Sequence, residues 1–233
     1  MLAAMRLLWV RHGQMEFSGQ MDTRLETINA LFNGEHEAGL SARGRAEAAA
    51  VADHLARSPV DAVYSSELLR ARETAATTGQ RLSLPVEVRE DLTELRPGRL
   101  EEDALGARFV RAANSLPFLS LRLRKALTGA TLIPLYFLSW LSGRTVGGEK
   151  RDDLEARIHR TFDWLRFHHP PHARIALFAH GYLIFYLSGW LAGPGARQTA
   201  FRRAHVPNGS ITELELGPSG PPTLLTYAET HHL

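Results

Sequence analysis

IALFAHGYLIFYLSGWLAG, residues 175–193, is the most hydrophobic window of the chain. Its length permits a membrane span, which takes roughly 20 apolar residues. A His180-Gly181 pair near its start and Gly189 and Gly193 near its end argue instead for a buried strand running into a buried helix. An earlier segment ends the same way. Leu7-Leu8-Trp9-Val10 leads to Arg11-His12-Gly13, just as Ile175-Ala176-Leu177-Phe178 leads through Ala179 to His180-Gly181. In open α/β sheets, ligands bind outside the carboxyl ends of the strands. Both imidazoles are then delivered to one sheet edge, each followed by a glycine that lets the backbone turn sharply or approach a ligand. A lone histidine at a strand end is ordinarily structural; two of them, with an arginine beside the first, point to a site.

Working outward, short β-rich runs alternate with helical patterns. Strands are expected at Leu7–Val10, Ala62–Tyr64, Val86–Val88, Ile175–Phe178, Ile211–Leu216 and Leu224–Tyr227. Ala42–Arg57 reads as a helix N-capped by Ser41, with Ala48, Val51, Ala52 and Leu55 on one face. A second helix opens after Ser65-Ser66 and runs to about Arg81. A third, Asp153–Phe167, carries Leu154, Ile158, Phe162 and Leu165 on one stripe before Pro170-Pro171 stops it. GPSGPP at 217–222 is a turn between the last two strands, a hairpin at the sheet edge. This alternation predicts an α/β fold, a mostly parallel central sheet with helices on both faces. Residues 103–146 break the pattern and read as a helical cap insertion.

The bulk numbers fit a globular protein with a real core. The chain has 233 residues, 44% hydrophobic and 22% charged, the length of one large domain. Residues 1–233 are therefore taken as a single domain carrying the insertion at about 103–146. With 27 basic against 25 acidic residues the net charge is +2, which gives no footprint for a nucleic-acid partner. There is no cysteine, so no disulfide framework, thiolate nucleophile or Cys-type zinc site. The start, Met1 to Val10, is broken by Arg6 and lacks a small-residue cleavage site, unlike a signal peptide. Together these lead to the expectation of a cytoplasmic protein.

Two further elements carry charge toward the strand ends. Tyr64-Ser65-Ser66-Glu67-Leu68-Leu69-Arg70-Ala71-Arg72-Glu73-Thr74-Ala75 is a strand, a turn and the first turns of a helix. Arg70 lies near the helix N-terminus, where free N–H groups and the dipole favour an anion; Arg72 reads as a solvated helix charge. Asp91-Leu92-Thr93-Glu94-Leu95-Arg96-Pro97-Gly98 places Glu94 between a strand and a turn.

Taken in order, Arg11-His12-Gly13, the Ser65–Ala75 run, Leu92-x-Glu94 with Gly98 and Glu101, Gly148-Glu149, His180-Gly181 and Asn208-Gly209-Ser210 resemble the histidine phosphatase superfamily, the phosphoglycerate-mutase-like family. The match covers about residues 6–101 and 147–229 in scattered blocks. The resemblance implies a phosphomonoester hydrolase. His12 would be the nucleophile that forms a phosphohistidine, and it must be neutral to attack, a state that neighbouring cations favour. Arg11, Arg70 and His180 would absorb charge on the phosphoryl oxygens. Glu94 would act as general acid and then base. Gly13, Ser18 and Gly181 would line the substrate phosphate. Arginine and histidine supply the positive charge, so no metal and no cofactor are expected, and the partner is a small-molecule phosphomonoester.

The periphery departs from the family pattern. After Arg-His-Gly the run is Gln14-Met15-Glu16-Phe17-Ser18, so the usual Thr is Met15 and the usual Asn is Ser18. The family's Trp-Glu-Gly after the acid reads Leu100-Glu101-Glu102, and these changes suggest an unusual substrate. Two rival readings are a cofactor-dependent phosphoglycerate mutase and a non-catalytic phospho-ligand binding module. In the mutase branch Arg-His-Tyr typically follows the acid, whereas here Leu95-Arg96-Pro97 does. A binding module typically loses the nucleophile or the acid, and both are present.

In the insertion, Leu116, Leu119, Leu123 and Leu127 share a helical face opposite Arg122, Arg124 and Lys125, and Thr131–Leu141 is apolar nearly all round. The plain reading is a cap helix pair packed on the core or on a second subunit. The sharper one, for residues 115–143, is a groove for an apolar substrate tail or a contact with an anionic membrane surface. The remaining histidines read as bystanders: His168, His169 and His172 as a solvated loop, His231 and His232 as a flexible tail, and His205 as a neighbour of the site.

Overall fold

A computed structural model of the chain describes residues 4–16, 37–100, 108, 136–191 and 205–233. Two compact units emerge: Met1–Glu16 with Glu37–Glu94 and Arg157–Leu233, and Phe17–His36 with Leu95–Ala156. Ser18 and most of the 103–146 insertion lie outside the described residues.

The first unit is built on a six-stranded sheet. Its strands are β1 (Met5–Arg11), β2 (Ala62–Ser65), β3 (Val86–Val88), β6 (Arg174–Ala179), β7 (Ile211–Leu216) and β8 (Thr223–Glu229). Their spatial order is β3-β2-β6-β1-β7-β8. The β3/β2, β2/β6 and β6/β1 pairs are parallel, whereas β7 runs antiparallel to β1 and β8 antiparallel to β7. This is the mixed, mostly parallel α/β sheet that the sequence pattern predicts, closed on one edge by the 217–222 hairpin.

Residue parity then assigns the faces. Leu8 and Val10 of β1, Val63 of β2, and Ala176 and Phe178 of β6 form one buried cluster with Val51, Leu55 and Ala75. Those last three come from helices α1 (Ala42–Leu55) and α2 (Leu69–Leu82). Tyr64, of opposite parity, meets Trp164 edge-to-face with ring centroids 5.3 Å apart. Trp164 belongs to α3 (Arg151–His168), so that helix covers the other face. The start of α1 is locally specified: the Ser41 hydroxyl accepts the Gly44 N–H, which is the N-cap bond.

The 175–193 window resolves as a strand and helix. β6 ends at Ala179, α4 runs over Gly181–Tyr186, and a π-helical turn follows at Leu187–Leu191. Leu183, Ile184, Tyr186 and Leu187 are fully buried. Among the described residues, no helix is long and apolar enough to cross a membrane.

The second unit holds a two-stranded antiparallel ribbon, β4 (Arg99–Leu100) with β5 (Thr145–Val146). Gly98 takes φ +81°, and a Cβ there would stand 2.7 Å from Gly148 N, so this crossing needs glycine. Residues 136–141 are helical. Tyr136, Phe137 and Trp140 are buried, while Leu138 is exposed. Tyr136 donates its hydroxyl to Gly98 O and Trp140 donates Nε1–H to Glu149 O, so these two aromatic side chains serve the unit's own packing.

Two histidine readings need correction. His232 is half-buried rather than part of a flexible tail, with Nε2 2.9 Å from Gly209 O. His169 is not a solvated loop residue: its Nε2 lies 2.9 Å from the Tyr64 hydroxyl. A Pro-rich turn and a chain end look solvent-exposed in sequence, and only the packed sheet supplies the partners that cover them.

Candidate active site

The register of β1 against β6 sets the geometry. Arg11 pairs with Ala179, so His12 and His180 leave the sheet at the same level. The His12 N–H still donates to Ala179 O (3.1 Å), and the imidazole centroids stand 5.2 Å apart. Behind His12, Asn208 Nδ2 donates to His12 O (3.0 Å) and Gly209 N–H donates to Arg11 O (3.0 Å).

His12 has one defined tautomer. Its Nδ1 lies 2.8 Å from Gly13 O, and a carbonyl only accepts, so Nδ1 carries the proton. The Nε2 lone pair therefore faces outward and receives Arg70 Nε–H at 3.2 Å. Burial foremost, then the Arg11 and Arg70 cations, hold the His12 pKa well below its usual 6.5. The ring is neutral at neutral pH with its lone pair intact.

Gly13 is held by contacts of its own. Its N–H donates to Thr74 Oγ1 (3.0 Å), whose hydroxyl donates to Arg70 O (2.7 Å). One α2 side chain thus ties the turn after β1 to the residue that touches His12. The turn also lies against the first turn of α1: a Cβ on Gly13 would stand 2.4 Å from Gly44 O, and one on Gly44 2.0 Å from Gln14 O. Glu47 completes the seat by accepting Gln14 N–H (2.8 Å).

His180 is fully buried, and its Nε2 is 2.6 Å from Ser66 Oγ. Ser66 Oγ also accepts the Leu68 N–H (3.3 Å). The Ser66 hydroxyl can give its proton to His180 Nε2, the arrangement that places the imidazole proton on Nδ1. This Nδ1 is buried with no partner among the described residues. Burial, followed by His12, Arg70, Arg11 and Arg157, pushes the His180 pKa well below 6.5.

Arg11 reaches past Gly181. A Cβ at Gly181 would stand 3.2 Å from Arg11 Nε, so the small residue leaves room for the guanidinium. Arg11 Nη1 donates to Val206 O, and its Nε is buried without a partner among the described residues. Glu94 sits at the head of α4, where its carboxylate accepts Tyr182 N–H (3.2 Å) and Leu183 N–H (2.9 Å). Its charge is the leading favourable influence on both the Arg11 and Arg70 cations and opposes their desolvation. Arg157 braces the approach to Glu94, with Nη1 donating to Asp91 O (2.6 Å) and Thr93 O (3.0 Å).

The structure thus gathers Arg11, His12, Arg70, Glu94 and His180, with Gly13 and Gly181 as close-approach points; Ser18 is outside the described residues. Arg72 is exposed, as expected of a helix charge. Sequence reasoning missed Thr74, Ser66, Gly44, Glu47 and Arg157. Each is one small or charged residue on a helix or turn, and its only signal is a spatial partner. Among the described residues, His54, His231 and His232 alone form a cluster with metal-ligand spacing, and it involves none of the five.

Comparison with known proteins identifies relatives of this chain. The sequence profile of the Histidine phosphatase superfamily (branch 1) matches residues 7–111 and 131–230. The Bifunctional protein Rv2228c of Mycobacterium tuberculosis is 34% identical over 162 residues, 68% of this chain. The match spans only 36% of that relative's length. Glucosyl-3-phosphoglycerate phosphatase of Mycobacterium tuberculosis is 29% identical over 208 residues, covering 82% of this chain and 76% of that protein. The native structure of the mycobacterial glucosyl-3-phosphoglycerate phosphatase Rv2419c superimposes with a TM-score of 0.65 at 26% identity. It covers 97% of this chain and 100% of that one.

Proposed function

Because the chain belongs to the histidine phosphatase superfamily, we propose that it hydrolyses phosphomonoesters through a phosphohistidine on His12. The observation that carries this reading is the tautomer of His12: Nδ1–H is fixed on Gly13 O, and the Nε2 lone pair is aimed at the Arg70 guanidinium. The phosphoryl group displaces that Arg70 contact, and Nε2 attacks phosphorus in line with the departing ester oxygen. Arg70, Arg11 through its spare Nε–H, and His180 through Nδ1–H donate to the equatorial oxygens, where charge develops. Glu94 takes up the proton that a monoanionic phosphomonoester brings in; the P–O bond breaks, and the alkoxide takes that proton from Glu94. Water then gives its proton to Glu94 as it attacks the phosphohistidine, and inorganic phosphate leaves with His12 neutral again. Gly13, whose amide is spent on Thr74, positions the nucleophile, while Gly181 makes room for Arg11.

A single domain over 1–233 with a helical insertion at about 103–146 goes with this reading, supported by the break in the profile match between residues 111 and 131. The likeness to glucosyl-3-phosphoglycerate phosphatase makes a glycosylated phosphoglycerate the first substrate class to try, beside acyl and isoprenoid phosphates for an apolar tail.

His12→Ala is expected to lower turnover by at least about 10³-fold and to abolish an acid-labile phosphoenzyme. Activity surviving that change would refute the assignment. Glu94→Gln should slow esters with poor leaving groups by roughly 10²–10⁴-fold and spare p-nitrophenyl phosphate, which needs little protonation. Equal losses on both would count against the proton-transfer role. Fast primed conversion of 3- to 2-phosphoglycerate would favour the mutase reading instead.

A further inference from the structure

Three imidazoles converge away from His12. His54 lies in the last turn of α1, and His231 and His232 follow β8. Their ligand nitrogens all lie within 4.8 Å of one another. The ring centroids of His54 are 5.2 Å from His231 and 5.0 Å from His232. We propose that His54, His231 and His232 form a binding site for a divalent transition-metal ion of the zinc class, holding the end of the chain against α1 and the loop behind His12.

The hydrogen bonds prepare the donors. His232 Nε2 lies 2.9 Å from Gly209 O, so that nitrogen carries the proton and Nδ1 keeps its lone pair. Metal-ligating histidines commonly donate their other N–H to a carbonyl in this way. His232 Nδ1 and His54 Nδ1 are both buried without a partner among the described residues. Two orphaned ring nitrogens beside one exposed imidazole, His231, are unexplained unless something occupies the gap.

The geometry needs little adjustment. Tetrahedral zinc with Zn–N near 2.0 Å sets its ligand nitrogens about 3.3 Å apart, and rotation of the exposed His231 side chain can close the difference. Three imidazoles leave the fourth position to water. Neutral nitrogen donors select zinc, copper or nickel over magnesium and calcium, which prefer oxygen. Arg57 and Arg174 act on His54 electrostatically and oppose a cation, so affinity rests on the nitrogen ligands. Gly209 links this cluster to the candidate active site: its carbonyl receives His232, and its N–H donates to Arg11 O. Leu233 packs on the same glycine, where an added Cβ would meet it at 3.1 Å.

The test uses the intact chain, stripped with a chelator and titrated with ZnCl₂ against a chromophoric competitor. One ion per chain is expected, with a Tm that rises on adding zinc and an X-ray absorption edge fitted by three imidazole nitrogens. His54→Gln, His231→Ala and His232→Ala should each weaken binding by about tenfold or more and abolish the zinc-dependent rise in Tm. His12→Ala should retain both. The exposed His231 provides the variant least able to disturb folding. Absence of saturable binding, or binding lost in His12→Ala but kept in the three others, would overturn the proposal.

Discussion

Protonation of His12 is where pH enters the proposed chemistry. Its pKa is held well below 6.5 by burial first and by Arg11 and Arg70 next, so the acidic limb of kcat/KM should fall well below pH 6.5. Replacing Arg70 with Met removes one cation, and the His12 titration followed by NMR should move up; an unchanged titration would show that Arg70 is not felt there. The same shift has a stability sign. His12 and His180 bind protons at their ordinary pKa once unfolded, so between the lowered values and 6.5 the unfolded chain holds more protons than the fold. Stability is therefore full above 6.5 and declines as pH drops from 6.5 toward the lowered values, which a series of urea midpoints would follow. At this scale the sequence revealed the groups with distinctive chemistry. His12, His180 and Arg11 stood out because a strand led into each place, whereas Thr74 and Ser66 are ordinary hydroxyls whose work depends on a neighbour many residues away.

Among the elements, α1 serves as a backstop for the His12 turn. Gly44 occupies its first turn, and alanine in a helix interior ordinarily gains about 1 kcal/mol over glycine. Here the added Cβ would stand 2.0 Å from Gln14 O, a backbone atom. Overpacking of that kind costs about 1–3 kcal/mol, so Gly44→Ala should lower the denaturation midpoint and reduce turnover together. A higher midpoint with normal turnover would show that the turn relaxes without loss. All six predicted strands of the large sheet are present, because each is a short apolar run or an apolar/polar alternation bounded by turn signals. The ribbon of Arg99–Leu100 and Thr145–Val146 escaped notice for the opposite reason: two residues have no period to read. His232 was misjudged because position near the end of a sequence suggests solvent, while the α1 histidine it meets is remote in number.

For the molecule as a whole, the order of strands matters more than their identity. β1 is flanked by β6 and β7, with Arg11 set against Ala179 on one side and Val10 against Ile211 on the other. Chains ending at Pro207 should therefore precipitate or bind hydrophobic dyes, since they leave an apolar edge uncovered; a soluble, cooperatively melting fragment would contradict this. Long-range pairings of this kind also escape sequence reading, because periodicity shows that a strand exists and says nothing about which distant strand lies beside it. The arrangement has a cost during synthesis. β1 leaves the ribosome well before it is enclosed, since both of its neighbours, β6 and β7, are translated later. A nascent polypeptide of this type carries a sticky, unzipped ribbon until those neighbours emerge, an interval in which a holdase or fast translation would guard it against aggregation.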